Sequence, residues 1–129
     1  GPDVPDDVDT EPTVRIEDSE IRYSWQRRPD TQLGLINGTA VHNLRQAGIV
    51  VEIGGDSLST VSLQFEASEP VDVELQVLTP DTGPFVVAAF DDATDIETTE
   101  QVSVTGATRA RVVTTSTAQG NAKVELGGT

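Results

Sequence analysis

The 129-residue sequence contains no cysteine and no methionine, and it has one histidine and five aromatic residues. The lack of cysteine excludes disulfides, zinc–thiolate sites, iron–sulfur ligation and thiol nucleophiles. Basic residues are also scarce, because eight Lys and Arg stand against 22 Asp and Glu, for a formal net charge of −14. A protein of this sign repels nucleic acids and anionic membranes at long range, so no nucleic-acid partner is expected.

The sequence also lacks the motifs of common catalytic sites. It has no Gly-x-Ser-x-Gly elbow, no phosphate-binding glycine loop and no His-Glu-x-x-His pair. The single histidine, His42, could join a Ser–His–Asp triad, but a lone histidine is more often a hydrogen-bonded structural side chain. Pairs of carboxylates arise by chance among 22 acids, so they indicate no glycosidase. We therefore expect a protein that is not an enzyme.

Valine and threonine are the most abundant residues, with 17 and 16 copies. Both are β-branched and pack well on a pleated sheet. Apolar and polar residues alternate in many segments, which predicts strands with one buried face. The predicted strands are 13–17, 20–27, 32–36, 48–53, 60–67, 71–77, 84–90, 101–105, 108–115 and 122–126.

Turns and short helices are expected between these strands. Glu69-Pro70 predicts a hairpin turn between 60–67 and 71–77, because proline lacks the N–H that a central ladder requires. Short helical turns are predicted at 41–46 and 91–100, the second because acids crowd its amino end.

Many short strands without a helical stripe indicate an all-β fold, an antiparallel two-sheet β-sandwich of about eight to ten strands. An immunoglobulin-like and a jelly-roll topology both fit the pattern. The expected core is aliphatic and comprises Val61, Leu63, Phe65, Val71, Val73, Leu75, Val77, Val102, Val104, Val112, Val124 and Leu126.

The chain is expected to hold one domain, residues 13–129, preceded by an acidic, proline-containing linker or tag remnant at 1–12. Gly1-Pro2 is typical of the pair that a tag-removing protease leaves, so a signal peptide or a membrane anchor could precede residue 3 in the parent protein. Contact with a membrane is expected only through such a segment.

The densest acidic segment is 91–97, which suggests a calcium-binding loop with Asp91, Asp92 and Asp95 as ligands. The competing interpretation is a solvated acidic turn. Apart from this calcium site, no cofactor is expected.

Residues 22–28 interrupt the acidic pattern, since they hold three arginines together with the single Trp and the single Tyr. Arginine and large aromatic side chains are enriched at binding hot spots. The segment therefore predicts a partner-binding surface, although Trp25 could instead fill the core and the arginines could pair with nearby acids. The expected surface comprises Arg22, Tyr23, Trp25, Arg27 and Arg28.

Asn37-Gly38-Thr39 is an N-glycosylation sequon, and Asn-Gly is a tight-turn dipeptide, so Asn37 is predicted at a surface turn that could carry a glycan.

Together these features predict a non-catalytic extracellular or cell-surface β-sandwich module with a structural or protein-binding role, engaged with a protein partner in a surface assembly or with itself. The acidity with a single lysine is typical of adaptation to concentrated salt, where screening removes self-repulsion. The alternative is an accessory module that binds calcium or carbohydrate.

Overall fold

The computed structural model describes residues 13–16, 19–24, 36–54 and 57–129. These residues are almost entirely strands and turns, so the expected all-β class is confirmed. In the described part of the chain, no helix is long and apolar enough to cross a membrane. The strands are β1 (Thr13–Ile16), β2 (Ser19–Ser24), β3 (Ile36–Asn43), β4 (Gly48–Gly54), β5 (Thr60–Leu78), β6 (Phe85–Gln101), β7 (Arg109–Thr114) and β8 (Asn121–Gly128).

The strands form one antiparallel hydrogen-bonded sheet of order β1-β2-β3-β8-β5-β7-β4, and β6 also pairs with β5. Strand β5 is the centre of this sheet. Its residues 61–67 pair with β8, its residues 73–78 pair with β7, and β6 runs along both parts. We call β1, β2, β3, β8 and the adjoining ends of β5 (60–67) and β6 (93–101) the large half-sheet. The small half-sheet is β4, β7, residues 71–78 of β5 and residues 85–90 of β6.

The sheet folds over so that β4 packs against β3 and β8 without pairing with either, which makes it nearly closed and barrel-like. Two glycines allow this close approach. A Cβ at Gly38 would lie 2.9 Å from Cγ2 of both Val51 and Ile53 on β4, and one at Gly128 would lie 3.1 Å from Cδ1 of Ile53. A larger residue at either position would require these neighbouring side chains to shift.

The core lies between the half-sheets. Alternate residues of β5 are buried at 61–65 and at 71–77, including Val61, Leu63 and Phe65 in the large half-sheet and Val73 and Leu75 in the small one. The alternation read from the sequence is therefore confirmed for β5. Val102 and Val104, expected in the core, are only partly buried against it.

The hairpin expected at Glu69-Pro70 is wrong, because β5 is one continuous strand through this segment. The pairing with β6 jumps from Glu66 opposite Asp95 to Val71 opposite Ala93. Pro70 lies in the bend between these pairs, outside the ladder, where a missing N–H costs no hydrogen bond.

Both expected helical turns are wrong as well. Residues 91–100 belong to β6, where three β-branched residues, Thr94, Ile96 and Thr98, alternate with acids and favour a strand. Residues 41–43 complete β3, and a turn follows at 44–46. The strand expected at 101–105 is limited to Gln101, the last residue of β6. Most of the strand expected at 32–36 lies outside the described residues.

Candidate binding cleft

A cleft of about 610 Å³ lies on the outer face of the large half-sheet, across β3, β8, β5 and β6. Strand register builds it from rows of side chains that run across the strands. One outer row is Thr39, Glu125, Gln64 and Glu97. A second outer row, two residues along each strand, is Val41, Lys123, Glu66 and Asp95. All eight of these residues are exposed.

A third row lies between the two outer rows. Its side chains point into the core, so its backbone forms the base of the cleft. It consists of Ala40, Val124, Phe65 and Ile96, which are at most 6% exposed. Because successive side chains of a strand point to opposite faces, burial of this row fixes the two polar rows outward. The core thus determines the position of the cleft residues.

The cleft is strongly acidic. Four carboxylates, from Glu66, Asp95, Glu97 and Glu125, surround one ammonium group, that of Lys123. Neighbouring strands are about 4.8 Å apart, so the acids lie on adjacent or next-but-one strands with little positive charge between them. Such an arrangement attracts cations, and salt screens the attraction.

The outer face of the small half-sheet is organised differently. Arg111 donates from Nε to Gln76 Oε1 at 2.9 Å, and Gln76 donates from Nε2 to Glu74 Oε1 at 2.8 Å. Arg109 Nε lies 3.1 Å from Glu52 Oε2. On this face Arg111 is linked to Glu74 through Gln76, and Arg109 forms an ion pair with Glu52, so the charges compensate one another locally.

His42 lies inside the molecule, with 4% of its surface exposed. Its Nε2 is 2.7 Å from the Gln46 carbonyl oxygen and 3.4 Å from Thr114 Oγ1. Burial lowers the pKa of His42, and the hydrogen bond to Gln46 partly opposes that shift. The imidazole is therefore neutral near pH 7 and holds the turn after β3 against β7.

The expected partner-binding surface falls largely outside the described residues. Trp25, Arg27 and Arg28 are not described. The backbones of Arg22 and Tyr23 belong to β2, where they pair with Thr39 and Gly38, but their side chains are not described. The predicted role of these five residues stays a prediction.

The three acids expected to bind calcium lie on β6 rather than in a loop. Asp91 and Asp92 lie where the register of β6 with β5 shifts, and Asp92 has φ of 51° and donates its N–H to Asp72 Oδ1 at 2.9 Å. Asp95 lies two residues beyond Ala93, on the cleft. Within the described ranges, no three acidic or histidine side chains converge as a metal site. The calcium site stays a prediction without geometric support.

Asn37, expected at a turn, instead lies within β3 and pairs with Gly127 and with Ser24. The turn is a wrong prediction, because the strand continues to Asn43 and the adjacent Gly38 is required for packing on β4 rather than for a tight turn. Its possible glycosylation stays a prediction.

Sequence reasoning missed most of the cleft. It used the polar residues of 60–67 and 122–126 only to identify the buried face of each strand. Those same positions supply Gln64, Glu66, Lys123 and Glu125. The alternation contained this signal, but the strand order that brings β8 beside β5 cannot be read from one sequence.

Comparison with known proteins adds little to this geometry. No family model matches the chain, and no curated protein matches it. Among solved structures, the SPBc2 prophage-derived protein YomS has a TM-score of 0.46 and 6% identity, over 72% of this chain and 94% of its own. A family 29 carbohydrate-binding module has a TM-score of 0.45 and 9% identity, over 96% of this chain and 79% of its own. Both likenesses are remote.

Proposed function

We propose that this protein is a non-catalytic binding module that holds a cationic segment of a protein partner in the acidic cleft of its large half-sheet. The observation that carries the proposal is the excess of four carboxylates over one ammonium group around a cleft of about 610 Å³. Electrostatic complementarity of this kind speeds encounter and selects partners of opposite charge.

We further propose that the fold is a β-sandwich module of the extracellular or cell-surface type. The two half-sheets, which face each other across one aliphatic core, support the sandwich architecture. A role without catalysis is supported by the position of His42, which is buried and bonded to backbone rather than directed into the cleft. The paired charges of the small half-sheet likewise act within the fold.

The binding test compares two variants with equal net charge. In the cleft variant, Glu66→Gln, Asp95→Asn, Glu97→Gln and Glu125→Gln remove four carboxylates. In the control variant, Glu69→Gln, Asp81→Asn, Asp91→Asn and Asp92→Asn remove four exposed carboxylates elsewhere. A fluorescent lysine-containing peptide is titrated with each protein at about 0.15 M salt, where screening acts within about 8 Å.

We expect the cleft variant to lose most of its affinity for the peptide and the control to retain it. Equal weakening in both variants would mean that net charge alone attracts the peptide, and the proposed cleft function would be wrong.

Carbohydrate binding is a second candidate, since the cleft presents the Thr39 hydroxyl, the Gln64 amide and several carboxylates that could bond sugar hydroxyls. Calorimetric titration with neutral oligosaccharides separates the two candidates. Binding of a neutral sugar that the cleft variant loses would favour this alternative. A rise in the unfolding midpoint with millimolar CaCl₂ over EDTA, at fixed ionic strength, would instead support the predicted calcium site.

A further inference from the structure

Strand β6 is an edge strand. Within the described residues, β5 is its single strand partner, and no other strand packs against it. In an antiparallel ladder, alternate residues direct their N–H and C=O groups to the same neighbour. Every second residue of β6 therefore directs its backbone groups away from β5. Such an edge can accept another strand.

The carboxyl-terminal part of β6 is the regular part of this edge. Residues Gln101 to Asp95 pair with Thr60 to Glu66 one to one, without a shift in register. The other part is irregular, because the register shifts three times between Asp95 and Phe85. Bulges of this kind disfavour edge pairing. A straight, pairable edge is thus confined to residues 95–101.

This regular edge is also a rim of the cleft. Asp95 and Glu97 end the two outer rows on β6, and the buried Ile96 ends the inner row between them. A strand added beyond β6 would extend all three rows by one residue each. Residues directly opposite on paired strands have Cβ atoms about 5 Å apart, within reach of a lysine or arginine side chain.

We propose that the cationic partner binds by strand addition to the 95–101 edge of β6, through an extended basic–apolar–basic segment. Its two basic side chains lie beside Asp95 and Glu97 on the outer face, and the apolar side chain between them covers Ile96. This inference rests on the proposed function of the cleft and deepens it, because it gives the partner's sequence pattern and its backbone conformation.

The test uses a capped seven-residue peptide, Ser-Thr-Lys-Val-Lys-Thr-Ser, and a matched peptide of the same composition, Ser-Thr-Lys-Lys-Val-Thr-Ser. Adjacent lysines on a strand point to opposite faces, so the second peptide places only one lysine beside a cleft carboxylate. Loss of one exposed ion pair weakens binding by up to roughly fivefold. The second peptide also places a lysine, in place of the valine, beside Ile96, so we expect it to bind about fivefold more weakly or worse.

Two N-methylated forms of the first peptide test the backbone contacts. Each carries methyl groups on one of the two alternating sets of amides. Strand addition uses one set only, so one form is expected to bind like the parent peptide and the other to lose binding. Amide hydrogen exchange should slow at alternate residues of 95–101 on addition of the parent peptide.

The possible results separate this inference from the proposed function. Equal binding of both N-methylated forms, with unchanged exchange in β6, would overturn strand addition while leaving charge recognition by the cleft intact. No binding by any peptide would overturn the proposed cleft function and this inference together. Loss of binding by both methylated forms, without protection of β6 amides, would also contradict strand addition at this edge.

Discussion

The two half-sheets share one core but present different outer faces. On the small half-sheet, Arg111, Gln76 and Glu74 form a hydrogen-bonded chain, and Arg109 lies beside Glu52. On the large half-sheet, four carboxylates share one lysine. Both faces are built from the same alternation of polar and apolar residues, so alternation determines which residues are exposed but not how their charges combine.

This difference indicates which charges stabilise the fold and which do not. Compensated charges hold side chains in place and contribute to stability, whereas adjacent like charges on paired strands are destabilising. The acids of the large half-sheet therefore lower the stability of the fold at low salt unless a bound cation neutralises their charge. A face with that property is suited to binding.

A substitution that crowds the contact between the two half-sheets should give the largest loss of stability. In Gly38→Ala, the new methyl group would lie 2.9 Å from the side chains of Val51 and Ile53. Overpacking of this kind costs about 1–3 kcal/mol of the free energy of unfolding, which urea denaturation measures. The control is the exposed neighbour Thr39→Ala, for which a change within about 0.5 kcal/mol is expected. Equal stability of the two variants would contradict the close contact of β3 with β4.

Removal of one basic side chain from each face should give a smaller loss of stability. The loss should be larger on the small half-sheet than on the large one. Arg111→Ala removes a donor to Gln76, which is 7% exposed, and leaves its Oε1 without that bond. We expect a loss of about 1–2 kcal/mol, typical of a buried acceptor left unpaired. Lys123→Ala on the cleft should cost no more than about 0.5 kcal/mol, as for exposed ion pairs. Similar losses in urea denaturation would mean that the faces do not differ.

Neutralisation of acids should shift the unfolding midpoint in opposite directions on the two faces. These shifts should be the smallest of the three effects. Glu97→Gln with Glu125→Gln should raise the unfolding midpoint at low salt by relieving repulsion, by about 0.5 kcal/mol in free energy. The increase should disappear in about 1 M NaCl, where screening acts within about 3 Å. Glu52→Gln with Glu74→Gln should lower the midpoint, because it weakens the contacts to Arg109 and Gln76. Midpoints that shift in the same direction would refute the comparison.

The sequence predicted the all-β class and the buried residues of β5, but it predicted several strand boundaries and connections wrongly. Alternation identified the buried residues of β5, such as Val61 and Leu75, because a period of two is a local property. The turn expected at Pro70 and the helix expected at 91–100 are wrong, because these segments belong to β5 and β6, which pair with each other. Local preferences for a turn or a helix were overridden there by the long ladder of β5 with β6.

The cleft shows the same limit. Glu66, Glu97 and Glu125 come from three segments, and only the register of β5 with β6 and β8 brings them together. Of the three acids predicted to bind calcium, Asp95 alone lies on the cleft. Long-range strand order is set by packing of the whole core, which a single sequence does not reveal.

The central position of β5 has a consequence for the kinetics of folding. The β5–β6 hairpin joins strands that are adjacent in the chain, whereas β8 pairs with β3, which lies five strands earlier in the chain. Contacts between distant segments form late, because chain entropy must be lost before they are made. We expect the hairpin to dominate the folding nucleus and closure of β8 between β3 and β5 to limit the rate. Until that closure, both edges of the hairpin stay open to other chains, which makes slow closure a risk for aggregation.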